Sequence, residues 1–204
     1  MSGDVDSRPA NDDTISWLEQ SVTGEVLDDS CNIHNTLLPE TSLPIDEKEK
    51  VHWVHLLNMI RDCNASDKFG VIALHQHKTL LPNHSFVWNL EQVNKSYFYW
   101  TSERANERIN LDKICGYKFA YNGKGLCPFE FRQGEMLDLS GVDKGLFPRI
   151  VQYLVDNHLT SRFGLGSLIP ELSKNTMTEL QLSRGMSGTG IPEQENMVKG
   201  FIAS

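Results

Sequence analysis

The sequence predicts an α+β fold: a curved, mostly antiparallel sheet covered by one or two helices, with a pocket between sheet and helices. Three observations carry this expectation. Two segments, Asp46 to Cys63 and Leu146 to Leu159, repeat apolar residues at helical spacing. Between and after them run short β-like segments separated by turn residues. One of those turns, Asn122-Gly123, is the strongest hairpin signal in the chain.

Residues 1–45 read as an acidic, partly disordered segment. It holds nine acidic residues against the single base Arg8, while residues 46–204 hold eighteen of each sign, so the segment carries the whole net charge of −8. Within it, Thr14 to Leu27 suits a short helix capped by Asp12 or Asp13, with Ile15, Leu18 and Val22 on one side. Residues 28–45, with Pro39 and Pro44, suggest an extended connector.

The domain is expected over residues 46–184. Its first helix is capped by Asp46, with Glu49 at capping-box spacing, and its apolar stripe is Trp53, Leu56, Leu57 and Ile60. His52 and His55 face the other way; solvent is their expected partner, although the spacing also suits a metal. Strands are expected at Phe69–His77, Ser85–Leu90, Ser96–Thr101, Ile114–Tyr121, Leu126–Arg132, Phe163–Ile169 and Thr176–Leu182. Pro82-Asn83, Asn94-Lys95 and Asn122-Gly123 supply turns. The second helix turns Phe147, Ile150, Val151, Leu154 and Val155 inward, with Pro148 in its first turn. Residues 185–204 read as a flexible tail.

Composition excludes several function classes. No basic stripe exists to neutralise phosphates, so neither nucleic acid nor an anionic membrane is an expected partner. No apolar run approaches the roughly 20 residues that cross a bilayer, and residues 1–30 lack a secretory core. Cys31, Cys63, Cys115 and Cys127 form no zinc-binding spacing. A hairpin centred on Asn122-Gly-Lys-Gly125 sets Cys115 opposite Arg132 rather than Cys127, so free thiols are expected. Together these features fit a cytoplasmic protein.

The leading chemical candidates are His75 and His77, placed by the alternation of a strand on one face with Val71 and Ala73. Two adjacent imidazoles suit proton transfer, ligand hydrogen bonding or metal binding. A metal set would add His84, because no carboxylate follows closely. Glu130, in Pro128-Phe-Glu-Phe-Arg132, reads first as an exposed carboxylate; beside the His75 strand it would orient an imidazole. Trp88, Tyr97, Tyr99, Tyr117, Phe119 and Tyr121 are candidate substrate-binding rings. Tyr117, Phe119 and Tyr121 alternate as one aromatic row.

The stretch from Lys68 to His77, KFGVIALHQH, resembles a block in small fungal proteins of unassigned function, where an aliphatic run leads into His, a basic residue, His and Phe. Pro128-Phe-Glu130-Phe resembles a later block of the same proteins. This chain departs at Gln76, between the histidines, and at Lys78, where an aromatic is usual. The resemblance implies a place beside natural-product pathways, in cyclisation or isomerisation steps.

The function expected is that of a cofactor-independent enzyme acting on a hydrophobic small molecule in secondary metabolism. Its reaction would be a cyclisation such as a Diels–Alder cycloaddition, an isomerisation or a dehydration, with His75, His77 and Glu130 as catalytic groups. Two alternatives stand beside it. One is a metal-dependent enzyme using a divalent ion at His75, His77 and His84. The other is a non-catalytic scaffold whose acidic first segment recruits a partner.

Overall fold

The computed structural model describes residues 18, 20–40, 45–93, 96–168, 177–180 and 197–203. The fold is α+β, with a mixed, mostly antiparallel sheet and three helices, α1 (Gly24–Thr36), α2 (Glu47–Asp62) and α3 (Leu146–Asp156). Six strands form the body of the sheet: β1 (Phe69–Ala73), β2 (His84–Val93), β3 (Ser96–Ala105), β4 (Ile114–Tyr121), β5 (Leu126–Gln133) and β6 (Phe163–Ser167). Two more, β7 (Met177–Leu180) and β8 (Met197–Ala203), extend it beyond β3. The order is β1-β6-β4-β5-β2-β3-β8-β7, and β2 with β5 is the parallel pair. The sheet is not strongly curled, so the expected concave face is replaced by a two-sided layer.

Local chemistry explains the elements that match expectation. The Asp46 carboxylate accepts from the Glu49 N–H at 2.7 Å, and Glu49 accepts from the Asp46 N–H at 3.1 Å, which completes the capping box of α2. In the β4–β5 hairpin Asn122 Oδ1 accepts from Lys124 and Gly125, and Gly123 adopts φ 94°, a left-handed conformation that glycine takes without steric cost. The hairpin sets Cys115 opposite Arg132, as the turn requires. All four cysteines are free and buried.

Burial falls on both faces. Leu56 and Ile60 of α2 and Phe147, Ile150 and Leu154 of α3 pack with Phe69, Phe119, Leu126, Phe163 and Leu165. Val26 and Leu27 of α1 pack instead with Val87, Ile114 and Phe131. Adjacent residues Phe119 and Ala120 enter different clusters, as do Leu126 and Phe129. Alternation along a strand therefore places α1 on one face and the α2–α3 pair on the other. Gly164 lets β6 fit between β1 and β4, because a Cβ there would lie 2.2 Å from the Phe119 carbonyl oxygen.

Several expectations are corrected. Residues 28–36 are helix, not connector: Thr23 caps α1 by accepting from the Val26 N–H, and α1 packs on the sheet. The packed body thus begins before residue 46. Residues 14–17, proposed to open a helix, lie outside the described residues. Leu18 and Val22 are buried but in different clusters, and residues 20–23 are not helical. Within the expected tail, residues 197–203 form β8, paired with β3. His52 and His55 are not simply solvated, because both engage Tyr153 of α3. His52 Nδ1 lies 2.7 Å from its hydroxyl, and the His55 ring stacks on it at 4.4 Å. Asn94-Lys95 lies outside the described residues. No helix among the described residues is long and apolar enough to cross a membrane.

Candidate functional site

Strand β1 ends at Ala73, so His75 and His77 sit in the segment beyond it, not on the strand itself. That segment is held by a strap from residues 37–40. Gln76 N–H donates to Leu38 O at 2.7 Å, Glu40 N–H donates to Gln76 O at 3.1 Å, and the Gln76 amide donates to Leu37 O at 2.8 Å. With Gln76 tied to the strap, its two neighbours turn their rings together. The rings meet edge to face, 4.5 Å between centroids and 85° between planes.

The hydrogen bonds constrain the protons on this pair. His75 Nδ1 lies 3.0 Å from the Ala73 carbonyl oxygen, and His77 Nδ1 lies 2.8 Å from Glu40 Oε2. A carbonyl and an ionised carboxylate only accept, so both Nδ1 atoms must carry hydrogen. The two Nε2 atoms stand 3.0 Å apart and need one proton between them. The fully bonded pair therefore holds three ring protons and one positive charge, balanced by Glu40. Burial holds the His75 pKa below its ordinary value, with the charges of His77 and Lys118 acting the same way against the Ala73 hydrogen bond and Glu130. His75 is thereby disfavoured as the charged ring, and His77 is the ring that stands beside the Glu40 carboxylate.

Glu130 is buried, 5% exposed, which corrects the exposed reading. Its Oε2 accepts from the Trp88 indole N–H at 2.5 Å and lies 2.9 Å from Lys118 Nζ, which also reaches Oε1 at 3.1 Å. Burial alone would raise its pKa, but the Lys118 charge and these hydrogen bonds outweigh it and hold the carboxyl below its ordinary range. Glu130 thus hydrogen-bonds Trp88 and Lys118, and it reaches His75 and His34 only through its field. Lys118 also lies over the Trp88 and Tyr117 rings, at 5.2 and 6.0 Å from their centroids.

The other candidate rings separate. Register shifts on both sides of Lys118 break the expected aromatic row. Tyr117 packs against Trp88 at 5.1 Å, Phe119 enters the α2–α3 core, and Tyr121 lines an open cleft of about 490 Å³ near the end of α1. The side chains of Tyr97 and Tyr99 lie outside the described residues. His84 opens β2, its Nδ1 2.9 Å from the Pro82 carbonyl oxygen, and it does not join the pair. Among the described residues no three His, Cys, Asp or Glu side chains converge as metal ligands.

Sequence reasoning missed Glu40, counted only as charge, and His34 on α1. His34 Nε2 lies 3.0 Å from the Lys78 carbonyl oxygen and so donates, which leaves a lone pair on Nδ1, buried and without a hydrogen-bond partner among the described residues. Burial holds its pKa down. No local signal marks either residue, since each is brought in by chain more than thirty positions from its partner. Compared with known protein families, curated proteins and solved structures, the chain matches none.

Proposed function

We propose that the protein is an acid–base enzyme that needs no organic cofactor, with His75 and His77 as its proton-handling pair and Glu40 as counter-charge. The observation that carries this reading is the 3.0 Å contact between the two Nε2 atoms while both Nδ1 atoms are committed to acceptors. An acid and a base then stand side by side. His77 donates from Nε2 and His75 offers the Nε2 lone pair.

The chemistry that suits such a pair is a proton shift next to a carbonyl. A substrate entering between the rings would accept the His77 proton on its carbonyl oxygen. His75 would take a proton from the adjacent carbon, and the C–H electron pair would form the enol double bond. Isomerisation or dehydration follows from the enol. A substrate with an apolar body is supported by Trp88 and Tyr117, half-buried rings around the Lys118 whose charge acts on His75. The test is deuterium exchange in D₂O across a panel of cyclic ketones. We expect exchange that falls by roughly 100-fold or more in His75→Ala and His77→Ala. Equal exchange in all three proteins, or none in the native protein, contradicts the reading.

The same observation favours one second reading. Two Nε2 lone pairs that converge while each Nδ1–H is anchored also form half of a metal shell, which solvent would complete. Zinc or copper bound stoichiometrically and lost in His77→Ala would establish it. A purified, metal-exposed protein that retains neither ion would discard it.

A further inference from the structure

We propose that the open cleft between α1, the β4–β5 turn and the α3–β6 connection is a binding site for a sugar or related polyol, separate from the histidine pair. Its volume of about 490 Å³ falls in the small-molecule range. Its floor is apolar: Ile33, Leu37 and Ala120 continue inward to Leu74 and Phe129. Its wall is the Tyr121 ring, fixed because the phenol donates to the Gly123 carbonyl oxygen at 2.8 Å.

The rim is polar: Thr36 donates to the Ile33 carbonyl oxygen and Asn122 holds the turn, while five other groups lack such partners. Among the described residues the side chains of Asp29, Asn32, Lys124, Thr160 and Ser161 make no hydrogen bond or ion pair with another residue. They come from three separate elements. Asp29 and Asn32 stand one turn apart on α1, on the side away from its buried stripe of Val26, Leu27, Ser30, Cys31 and His34. The turn that carries Lys124 is held by Asn122 Oδ1, which fixes the backbone of that part of the rim.

A sugar ring matches both surfaces. Its C–H face lies on an aromatic ring and an apolar floor, and each hydroxyl both donates and accepts. Asp29 accepts from neighbouring hydroxyls, the Asn32 amide does both, and the hydroxyls of Thr160 and Ser161 adapt to either role. A wholly apolar ligand would leave this rim without partners. A phosphate would set its charge against Asp29, with Lys124 alone to offset it.

The experiment is amide NMR of the full chain, titrated separately with glucose, galactose, mannose, N-acetylglucosamine, myo-inositol, glycine and inorganic phosphate. We expect at least one polyol to shift the amides of residues 122–125, 160 and 161 saturably, with a dissociation constant of roughly 1 mM. Asp29→Ala and Tyr121→Ala should each weaken that binding by about tenfold or more, while His75→Ala leaves it unchanged. Amides remote from the cleft report whether each variant is folded. The inference is overturned if no polyol gives a saturable shift, if both cleft variants bind as the native chain does, or if only glycine or phosphate binds.

Discussion

His77 and Glu40 are joined by a 2.8 Å contact between Nδ1 and Oε2, and this contact ties one ring of the histidine pair to the strap of residues 37–40. The Glu40 side chain is 52% exposed, so the contact adds little to stability. Its role is to fix the His77 ring, with Nδ1 turned to Glu40 and Nε2 turned to His75. Glu40→Gln should change the melting temperature by no more than a degree or two, consistent with the small worth of an exposed pair. It should lower ketone exchange by about tenfold or more. Thermal melts and deuterium exchange on one preparation check both. Unaltered exchange would remove Glu40 from the mechanism.

Lys118 and Glu130 are expected to behave in the opposite way. Lys118→Ala leaves the buried Glu130 carboxylate with only the Trp88 indole as donor among the described residues. The cost should be about 3 kcal/mol, the low end for breaking a buried pair, because the Lys118 side chain is 22% exposed. Denaturant unfolding measures it. A double variant that also carries Glu130→Gln should recover part of the loss, since the stranded charge is removed. A cost below about 0.5 kcal/mol for Lys118→Ala would mean that the pair is not structural.

Acid should destabilise the protein in two stages. His34 is held neutral by burial, below its ordinary value of 6.5, so the unfolded chain binds a proton there that the folded chain resists. Stability is therefore lost as pH falls below about 6.5. Glu130, held below its ordinary 4.5, adds a second loss as pH falls through and below that value. Melting temperatures across this range should fall in both windows, and a folded His34→Gln protein should lose less in the first, where His75, also held below its ordinary value, still contributes. A native profile that stays flat through the first window contradicts the assignment for His34.

Two glycines should respond oppositely to alanine. At Gly164 the new Cβ meets the Phe119 carbonyl oxygen at 2.2 Å, a backbone contact that cannot rotate away. Gly164→Ala should cost about 1–3 kcal/mol or more. Gly24 opens α1, where an added Cβ meets nothing within 4 Å among the described residues, and Gly24→Ala should be neutral or stabilise by up to about 1 kcal/mol. Chemical denaturation of both variants checks the contrast.

The parts of the fold that were legible are those set by neighbours in sequence. Asp46 and Glu49 cap each other three residues apart, and the Asn122-Gly123 turn aligns Cys115 with Arg132 by counting outward. What was hidden depends on distant chain. The buried stripe of α1 includes Ser30 and His34, polar residues that dilute its period, and Ser30 is accommodated by Leu27 O and Ser85. The Tyr117–Tyr121 row failed because register shifts beside Lys118 break strict alternation. The histidine pairing was visible from their spacing. Its meaning was not, because the acceptor for His77 arrives from Glu40, thirty-seven positions away.

Whether the two imidazoles form an acid and a base is decided by their protonation pattern, read by ¹⁵N NMR on metal-free protein at about pH 6. If they do, His75 is the neutral Nδ1–H form with a bare Nε2, and His77 carries hydrogen on both nitrogens. Two neutral rings with hydrogen on Nε2 would contradict it, since neither Nδ1 would then donate to Ala73 or Glu40.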